Sequence, residues 1–247
     1  MRIKNAASLT LAFIASVAAL IGCQSPEAAP ASAEIESVSM VAAQKHDMQA
    51  ERRLRGWAAQ GLPVAQRELG LLYESHPEQR DEAQQLLEHA AQKGDTEAAF
   101  QLAEMLRVGA PGHVGAPDKA LPWYLQAAQQ RHAKAALVLG MLFNNGEGTP
   151  RDLAEGARWL NVASDLGNPH AMFLLSNAYR EGRGVAQDPV HARKLLEESA
   201  EHEYPPAQQE LAMAVENGDA FSAKDELRAS HLLKEATEHR HNNWNRF

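Results

Sequence analysis

The chain has 247 residues, of which 45% are apolar and 23% charged, and its formal net charge is −8. An acidic chain is a poor nucleic-acid binder, because neutralising phosphates requires a clustered basic face, and a single cysteine excludes an internal disulfide and a thiolate metal cluster. No Ile follows Ile35, whereas Ala, Leu, Glu, Gln and Arg are abundant. This composition predicts an all-α protein, because β-strands favour β-branched residues.

The first 22 residues have the pattern of a signal peptide. Arg2 and Lys4 form a basic start, and residues 9–21 form an apolar run that is too short for a comfortable membrane span. Because this segment contains no acidic residue, its removal would change the formal charge from −8 to −10.

The signal peptide ends at Gly22, directly before the single cysteine, Cys23, and this junction resembles the bacterial lipobox. The resemblance implies cleavage before Cys23 and lipidation of its thiol. Gln24 is not the Asp that favours inner-membrane retention, so the expected location is the outer membrane, facing the periplasm. The alternative is an ordinary signal peptide with an incidental cysteine.

Two short segments connect this anchor to the rest of the chain. Residues 23–40 contain mainly small and polar residues, which predicts a disordered tether after the lipidated cysteine. Residues 41–61 are predicted to form an N-terminal capping helix. The reason is that Leu54, Ala58 and Gly61 match the end of the second helix in the repeats that follow.

The remaining chain contains five internal repeats. Their reference positions, spaced by 33, 37, 36 and 36 residues, are Ala65, Ala98, Ala135, Ala171 and Ala207. A leucine follows each alanine at offset +4, a small residue at +5 and a bulky apolar residue at +8. These offsets share one helix face. The small residues are Gly70, Ala103, Gly140, Ser176 and Ala212.

A second helix in each repeat has small residues at Ala83, Ala120, Gly156, Ala192 and Ala229. Helix starts are predicted by capping side chains at Asp95, Asp118, Asp152, Asn168 and Asp188. The resulting boundaries are residues 62–94, 95–131, 132–167, 168–203 and 204–240, followed by a C-terminal tail over residues 241–247. One hairpin cannot bury its apolar face alone, so we expect the repeats to stack.

The pattern Ala-x₃-Leu-Gly-x₂-Tyr/Phe, Gly-x-Gly and Asp-x₃-Ala-x₂-Trp-x₃-Ala resembles the Sel-one-like repeat family, a branch of the tetratricopeptide-repeat superfamily. The third copy carries it as Leu139-Gly140, Phe143, Gly146-x-Gly148, Asp152 and Trp159. The resemblance implies an α-solenoid of about five helix-turn-helix repeats in a right-handed superhelix.

Other chemistry has weak support in the sequence. The pairs Gly146-x-Gly148 and Gly182-x-Gly184 suggest a phosphate loop, but no strand is predicted before either, and turns between helices explain them better. His239 and His241 point in different directions on a helix and are poor metal ligands. We expect no catalytic residue, no metal site and no cofactor.

One face of the first helices is a candidate for partner binding. In tetratricopeptide-type solenoids the positions opposite the buried stripe line a concave groove, and here they correspond to offsets +2, +6 and +9. The predicted groove consists of an apolar strip and a polar rim: Phe100, Leu137, Met141 and Phe173, with Arg107, Asn144, Asn177 and Arg180. A contiguous apolar patch with a polar rim is typical of a partner site. The alternative is that part of the strip packs between adjacent first helices.

The predicted function is that of a non-enzymatic protein-interaction scaffold or adaptor, anchored by lipid in the bacterial cell envelope. A protein or peptide partner would lie in the groove. The first alternative is an assembly scaffold of an outer-membrane polysaccharide export complex. The second is an enzyme that binds or hydrolyses cell-wall or β-lactam compounds, as proposed for some secreted members of the family. The enzyme alternative requires a nucleophile beside a base, and no such pair is evident in the sequence.

Overall fold

The computed structural model describes residues 29–109 and 114–242, without the side chains of residues 239–242. These residues form twelve α-helices and no strand, which confirms the predicted all-α class. The helices are α1 (Ser32–Lys45), α2 (Met48–Ala59), α3 (Pro63–Glu74), α4 (Arg80–Gln92), α5 (Thr96–Val108), α6 (Pro117–Gln129), α7 (Ala133–Asn145), α8 (Leu153–Asp165), α9 (Pro169–Glu181), α10 (Pro189–Glu201), α11 (Pro205–Asn217) and α12 (Glu226–Asn242). A short 3₁₀ turn, Pro77–Gln79, precedes α4.

The helices of the unit Ser32–Phe247 pack in chain order. Each packs mainly against the helix before it and the helix after it, and α1 also contacts α3. The pairs α3–α4, α5–α6, α7–α8, α9–α10 and α11–α12 are the five hairpins. This sequential packing is that of an α-solenoid. None of the helices in residues 29–109 and 114–242 combines the length and hydrophobicity that crossing a bilayer requires.

Helix starts follow the predicted capping signals with one exception. The side chains that accept backbone N–H bonds at predicted N-caps are those of Asp95, Asp152, Asn168 and Asp188. The prediction for Asp118 is wrong. Helix α6 begins at Pro117, with Ala116 at the N-cap, so Asp118 lies in the first turn and not before it. Its charge there is still favourable for the helix dipole.

Close packing within a hairpin depends on the small residue at offset +5. A Cβ on Gly140 would lie 2.7 Å from Cγ of Leu160, and a Cβ on Gly70 would lie 2.9 Å from Cγ of Leu87. The second-helix position to which these leucines belong was not among the predicted core positions. The first four repeats bury it almost completely, as Leu87, Tyr124, Leu160 and Leu196.

The N-terminal end differs from the predicted tether over residues 23–40. Helix α1 begins at Ser32, so the part of the segment from that residue onward is ordered. Ile35, Ser39 and Ala42 lie on one face of α1 and are buried, because α1 packs against α2 and α3. The expected single capping helix over residues 41–61 is therefore the end of α1 followed by α2. This segment forms an ordered helix despite its low apolar content, because α1 buries only one narrow stripe of residues.

Candidate partner-binding face

The predicted groove residues lie on three first helices, α5, α7 and α9, but they are not equally accessible. Phe100 on α5 is half-buried: its ring stacks on the imidazole of His132 at 4.5 Å and meets Tyr124 edge-on at 6.1 Å. Phe173 on α9 is also half-buried, with its ring centre 5.6 Å from that of Tyr204. In both cases the covering residue, His132 or Tyr204, is the N-cap of the next first helix.

Leu137 corrects the prediction of a continuous exposed strip. Its exposure is 6%, because its side chain packs into the main hydrophobic core. Met141, at offset +6 on the same helix, is 38% exposed, and Met213 at the same offset on α11 is 55% exposed. The exposed apolar side chains at offset +6 are therefore two separate methionines, and flexible methionine side chains adapt well to a partner.

The rim residues are engaged in hydrogen bonds within the protein. Arg107 donates to the Tyr124 hydroxyl at 3.0 Å and pairs with Glu104 at 2.7 Å. Burial opposes its charge, but the bonds to Glu104 and Tyr124 raise the pKa of Arg107 above its ordinary value. Arg180 donates to Asn177 and pairs with Glu210 of the next repeat. A partner that binds these residues would compete with their internal hydrogen bonds.

Asn144 is positioned by the absence of a side chain on the facing helix. A Cβ on Gly156 of α8 would lie 2.1 Å from Oδ1 of Asn144. The other four repeats have an alanine at this position, and only the glycine of the third repeat leaves room for an amide this close: Ala83, Ala120, Ala192 and Ala229. The amide of Asn144 is thereby directed along the wall of a cavity between repeats.

That cavity, the junction 3/4 cavity, lies between α7, α8 and α9 and has a volume of about 250 Å³. It contains two of the predicted groove residues, Met141 and Asn144. Its lining consists of Met141, Asn144, Asn145, Arg151, Leu153, Ala157, His170, Leu174, Ala178 and Arg183. Burial lowers the pKa of His170 below its ordinary value, which favours the neutral imidazole in the cavity.

The size of one side chain explains why this junction is open. At offset +7 of the first helix, the first three repeats have a bulky residue: Leu72, Met105 and Leu142. In the last two repeats this position is Ala178 and Ala214. Ala178 lines the junction 3/4 cavity, and Ala214 lines a second one of about 150 Å³, the junction 4/5 cavity. Neither cavity was predicted from the sequence, although the change from bulky residues to alanine at this offset is visible there.

The junction 4/5 cavity has a different electrostatic character. Arg193 is almost fully buried beside it, pairing with Glu197 and Asp219, both at 2.7 Å. Glu210 and Asp219 contribute carboxylates to the lining. The charges of this cavity are therefore mixed and largely neutralised internally.

The Gly-x-Gly pairs and the remaining sequence candidates lie elsewhere. Gly146 and Gly182 end α7 and α9 in the left-handed conformation, with φ of 71° and 70°, as expected of turn glycines. No group of His, Cys, Asp or Glu able to hold a metal occurs in the part of the chain that the structure describes. Cys23 and the side chains of His239 and His241 lie outside the described residues.

A family model for the Sel1 repeat matches five segments, residues 63–95, 96–132, 133–168, 169–204 and 205–241. A solved Sel1 repeat protein from Oxalobacter formigenes is 29% identical with a TM-score of 0.71, covering 83% of this chain and 82% of that one. A protective antigen from uropathogenic Escherichia coli, which displays an SLR fold, is 26% identical with a TM-score of 0.73. That similarity covers 84% of this chain and 46% of the antigen.

Two curated proteins share part of the sequence. An uncharacterised protein of Neisseria meningitidis serogroup B is 31% identical over 147 residues, 58% of this chain and 30% of that protein. A chitin synthase regulator of Malassezia restricta is 37% identical over 110 residues, 43% of this chain and 8% of the regulator. The chain thus spans less than a third of the length of these relatives.

Proposed function

Because the chain belongs to the Sel1 repeat family, we propose that it is a non-enzymatic adaptor that binds a protein or peptide partner on the face formed by α5, α7 and α9. Sel1 repeat proteins generally mediate protein–protein interaction, and their scaffold is generally non-catalytic. The observation that carries the proposal is the junction 3/4 cavity, which opens beside the exposed Met141 and the positioned Asn144. An open site between two rigid hairpins can receive a side chain without reorganising the solenoid.

Site-directed photo-crosslinking in living cells tests this face. A photoreactive phenylalanine analogue at Met141 should give discrete crosslinked products of defined mass. The matched control places the same analogue at Asn161, an exposed residue on the neighbouring second helix, α8. Products that are equally abundant at both positions, or absent at Met141, would contradict the proposal.

The proposal includes a lipid anchor at Cys23 that holds the repeats at the periplasmic side of the outer membrane. Its support is the lipobox-like junction at Gly22-Cys23. Eight residues separate Cys23 from Ser32, where α1 begins. The nine Cα–Cα steps from Cys23 to Ser32 can span at most about 32 Å when fully extended, so the anchor would keep α1 close to the membrane.

Metabolic labelling tests the anchor. Cells fed an alkyne-tagged fatty acid should label the wild-type protein, which should fractionate with the outer membrane. Cys23→Ser should abolish both the fatty-acid label and the fractionation with the outer membrane, because the acceptor thiol is lost. An unlabelled wild-type protein that remains soluble after cell lysis would rule the anchor out.

A second candidate is an assembly scaffold of an outer-membrane polysaccharide export complex. Its support is that the relative from Malassezia restricta is named as a regulator of chitin synthase, an enzyme that makes a polysaccharide. Here the partner on the α5–α7–α9 face would be a subunit of such a complex. Deleting the gene should then reduce exported polysaccharide, whereas an unrelated partner in the Met141 crosslink would exclude this candidate.

A further inference from the structure

The lining of the junction 3/4 cavity carries positive charge and no negative charge. Among its lining residues are two arginines, Arg151 and Arg183, and no carboxylate. The Nε of Arg151 donates to the backbone carbonyl of Asn144 at 2.9 Å, and no described carboxylate pairs with this guanidinium. Arg183 pairs with Glu181 at 2.8 Å, but both side chains are about half exposed, so water weakens this pair.

The apolar residues of this cavity lie deep in it, and its charged residues lie near the protein surface. Ala157 and Ala178 are 3% and 6% exposed and form its floor, together with the partly covered Leu174. Arg151 and Arg183 are exposed and lie at the mouth. A fitting ligand therefore has an apolar group that enters first and a negative charge that remains near the surface.

The volume limits the ligand to a small group. About 250 Å³ is below the range of roughly 300–1,000 Å³ that is usual for pockets holding drug-sized molecules. One amino-acid side chain with its attached carboxylate fits this limit. The amides of Asn144 and Asn145 add hydrogen-bond donors for the same carboxylate.

We propose that the junction 3/4 cavity binds the C-terminal residue of the partner, an inference that rests on the adaptor function proposed above. The apolar side chain of that residue contacts Ala157, Leu174 and Ala178, and its α-carboxylate lies between Arg151 and Arg183. An internal glutamate fits less well, because its charge is at the tip of the side chain and would enter the apolar floor. Arginine is suited to this task, since its planar donors match a carboxylate.

Binding of short peptides to the full-length protein tests this inference. The probe is N-terminally fluorescent Gly-Ser-Leu with a free carboxylate, measured by fluorescence anisotropy. Its C-terminal amide should bind at least about tenfold more weakly, because the charge is removed. A peptide with an internal glutamate and an amidated end should be weak as well. Equal binding of the free acid and the amide would overturn the proposal.

Two alanine positions supply a matched pair of variants. Ala178→Leu should reduce binding of the free acid at least about tenfold, because leucine fills the floor as Leu142 does in the preceding repeat. Ala214→Leu makes the same change at the junction 4/5 cavity and should leave binding unchanged. Unchanged circular dichroism shows that each variant is folded. If Ala178→Leu is unfolded, Arg151→Gln replaces it, with an expected loss of about threefold or more that diminishes at high salt.

The outcomes separate this inference from the adaptor proposal. The C-terminal site would be refuted if the free acid and the amide bind equally well, or if Ala178→Leu leaves binding unchanged. Strong crosslinking at Met141 in the same experiments would still support the adaptor face. Absence of crosslinking at Met141 would refute the adaptor face itself. Binding of the free acid that depends on Ala178 and Arg151, and not on Ala214, supports the site.

Discussion

Single glycines decide how closely the two helices of a repeat approach. A Cβ on Gly140 would lie 2.8 Å from Cδ2 of Leu160 and 3.1 Å from the carbonyl oxygen of Gly156. A Cβ on Gly56, exposed on α2, would meet nothing within 4 Å. The same substitution should therefore have opposite effects at the two positions.

Gly140→Ala should lower the free energy of unfolding by about 1–2 kcal/mol, because overpacking outweighs the helix propensity of alanine. Gly56→Ala is the control and should raise it by about 0.5–1 kcal/mol, since alanine restricts the unfolded chain. Urea denaturation of both variants measures the difference. A Gly140→Ala protein as stable as the Gly56→Ala protein would show that α7 and α8 can separate at little cost.

Tyr124 links a buried ring to a polar network and makes stability sensitive to alkali. Its hydroxyl donates to Glu104 at 2.6 Å and accepts from Arg107 at 3.0 Å. Burial, reinforced by the hydrogen bond to Glu104, raises the pKa of Tyr124 above its ordinary value of 10.0. The unfolded chain therefore loses this proton at lower pH than the folded chain, so raising the pH favours unfolding.

Below pH 10, ionisation of Tyr124 should not change the free energy of unfolding. Above pH 10, it should lower the free energy of unfolding by up to about 1.4 kcal/mol per pH unit. Tyr124→Phe should reduce that slope, and at pH 8 it should cost about 1–2 kcal/mol through the lost hydrogen bonds. Chemical denaturation between pH 8 and pH 11 measures both quantities. An unchanged slope in the variant would assign the alkaline loss to other groups.

At the scale of helices, Arg67 is the main electrostatic link at the N-terminal end. Its guanidinium on α3 pairs with Glu36 of α1 at 2.7 Å and with Asp95, the N-cap of α5, at 3.0 Å. Its side chain is only 13% exposed, so its loss would leave Asp95 and Glu68 without their cation in a poorly hydrated site. One arginine thus joins three helices of two repeats and the capping segment.

Arg67→Ala should lower the free energy of unfolding by about 3 kcal/mol, because it leaves buried carboxylates unpaired. The control is Lys194→Ala, which removes an exposed pair with Glu198 at 3.5 Å and should cost less than about 0.5 kcal/mol. Thermal and urea denaturation compare the two. A cost for Arg67→Ala no larger than that of the control would mean that water replaces the guanidinium freely.

At the scale of the described chain, the hydrophobic core is divided. One cluster runs from Ile35 to Leu195, and a second, smaller one contains Leu196, Ala200, Ala207, Leu211 and Val215. The last helix, α12, leaves Leu227 86% exposed and Leu233 41% exposed. In a solenoid, stability is a sum over repeats and their interfaces, so the C-terminal repeat should be the weakest.

Native-state hydrogen exchange should therefore show faster opening of α11 and α12 than of α5 to α8, because fewer apolar contacts must break. A chain truncated after residue 203 supplies the control, and its α5 to α8 should keep their protection. Uniform protection across all helices would show that the two clusters unfold as one cooperative unit.

Interactions between residues a few positions apart made much of the fold predictable. A carboxylate caps the N–H groups of the next turn, a glycine adopts a left-handed turn, and a repeated stripe of Ala and Leu marks the buried face of each first helix. The helical class and the repeat register depend on such local effects, and the sequence contains them directly. The exception at Asp118 arose where Pro117 already supplied a helix start.

Contacts between repeats determine which surfaces stay exposed. Phe100 and Phe173 share the face of Met141, yet His132 and Tyr204 of the following repeats cover their rings. Leu137 is drawn into the core, and the cavity beside Met141 exists because Ala178 is too small to fill it. Helical periodicity places a side chain on a face, but its exposure depends on the volume of residues that only stacking brings together.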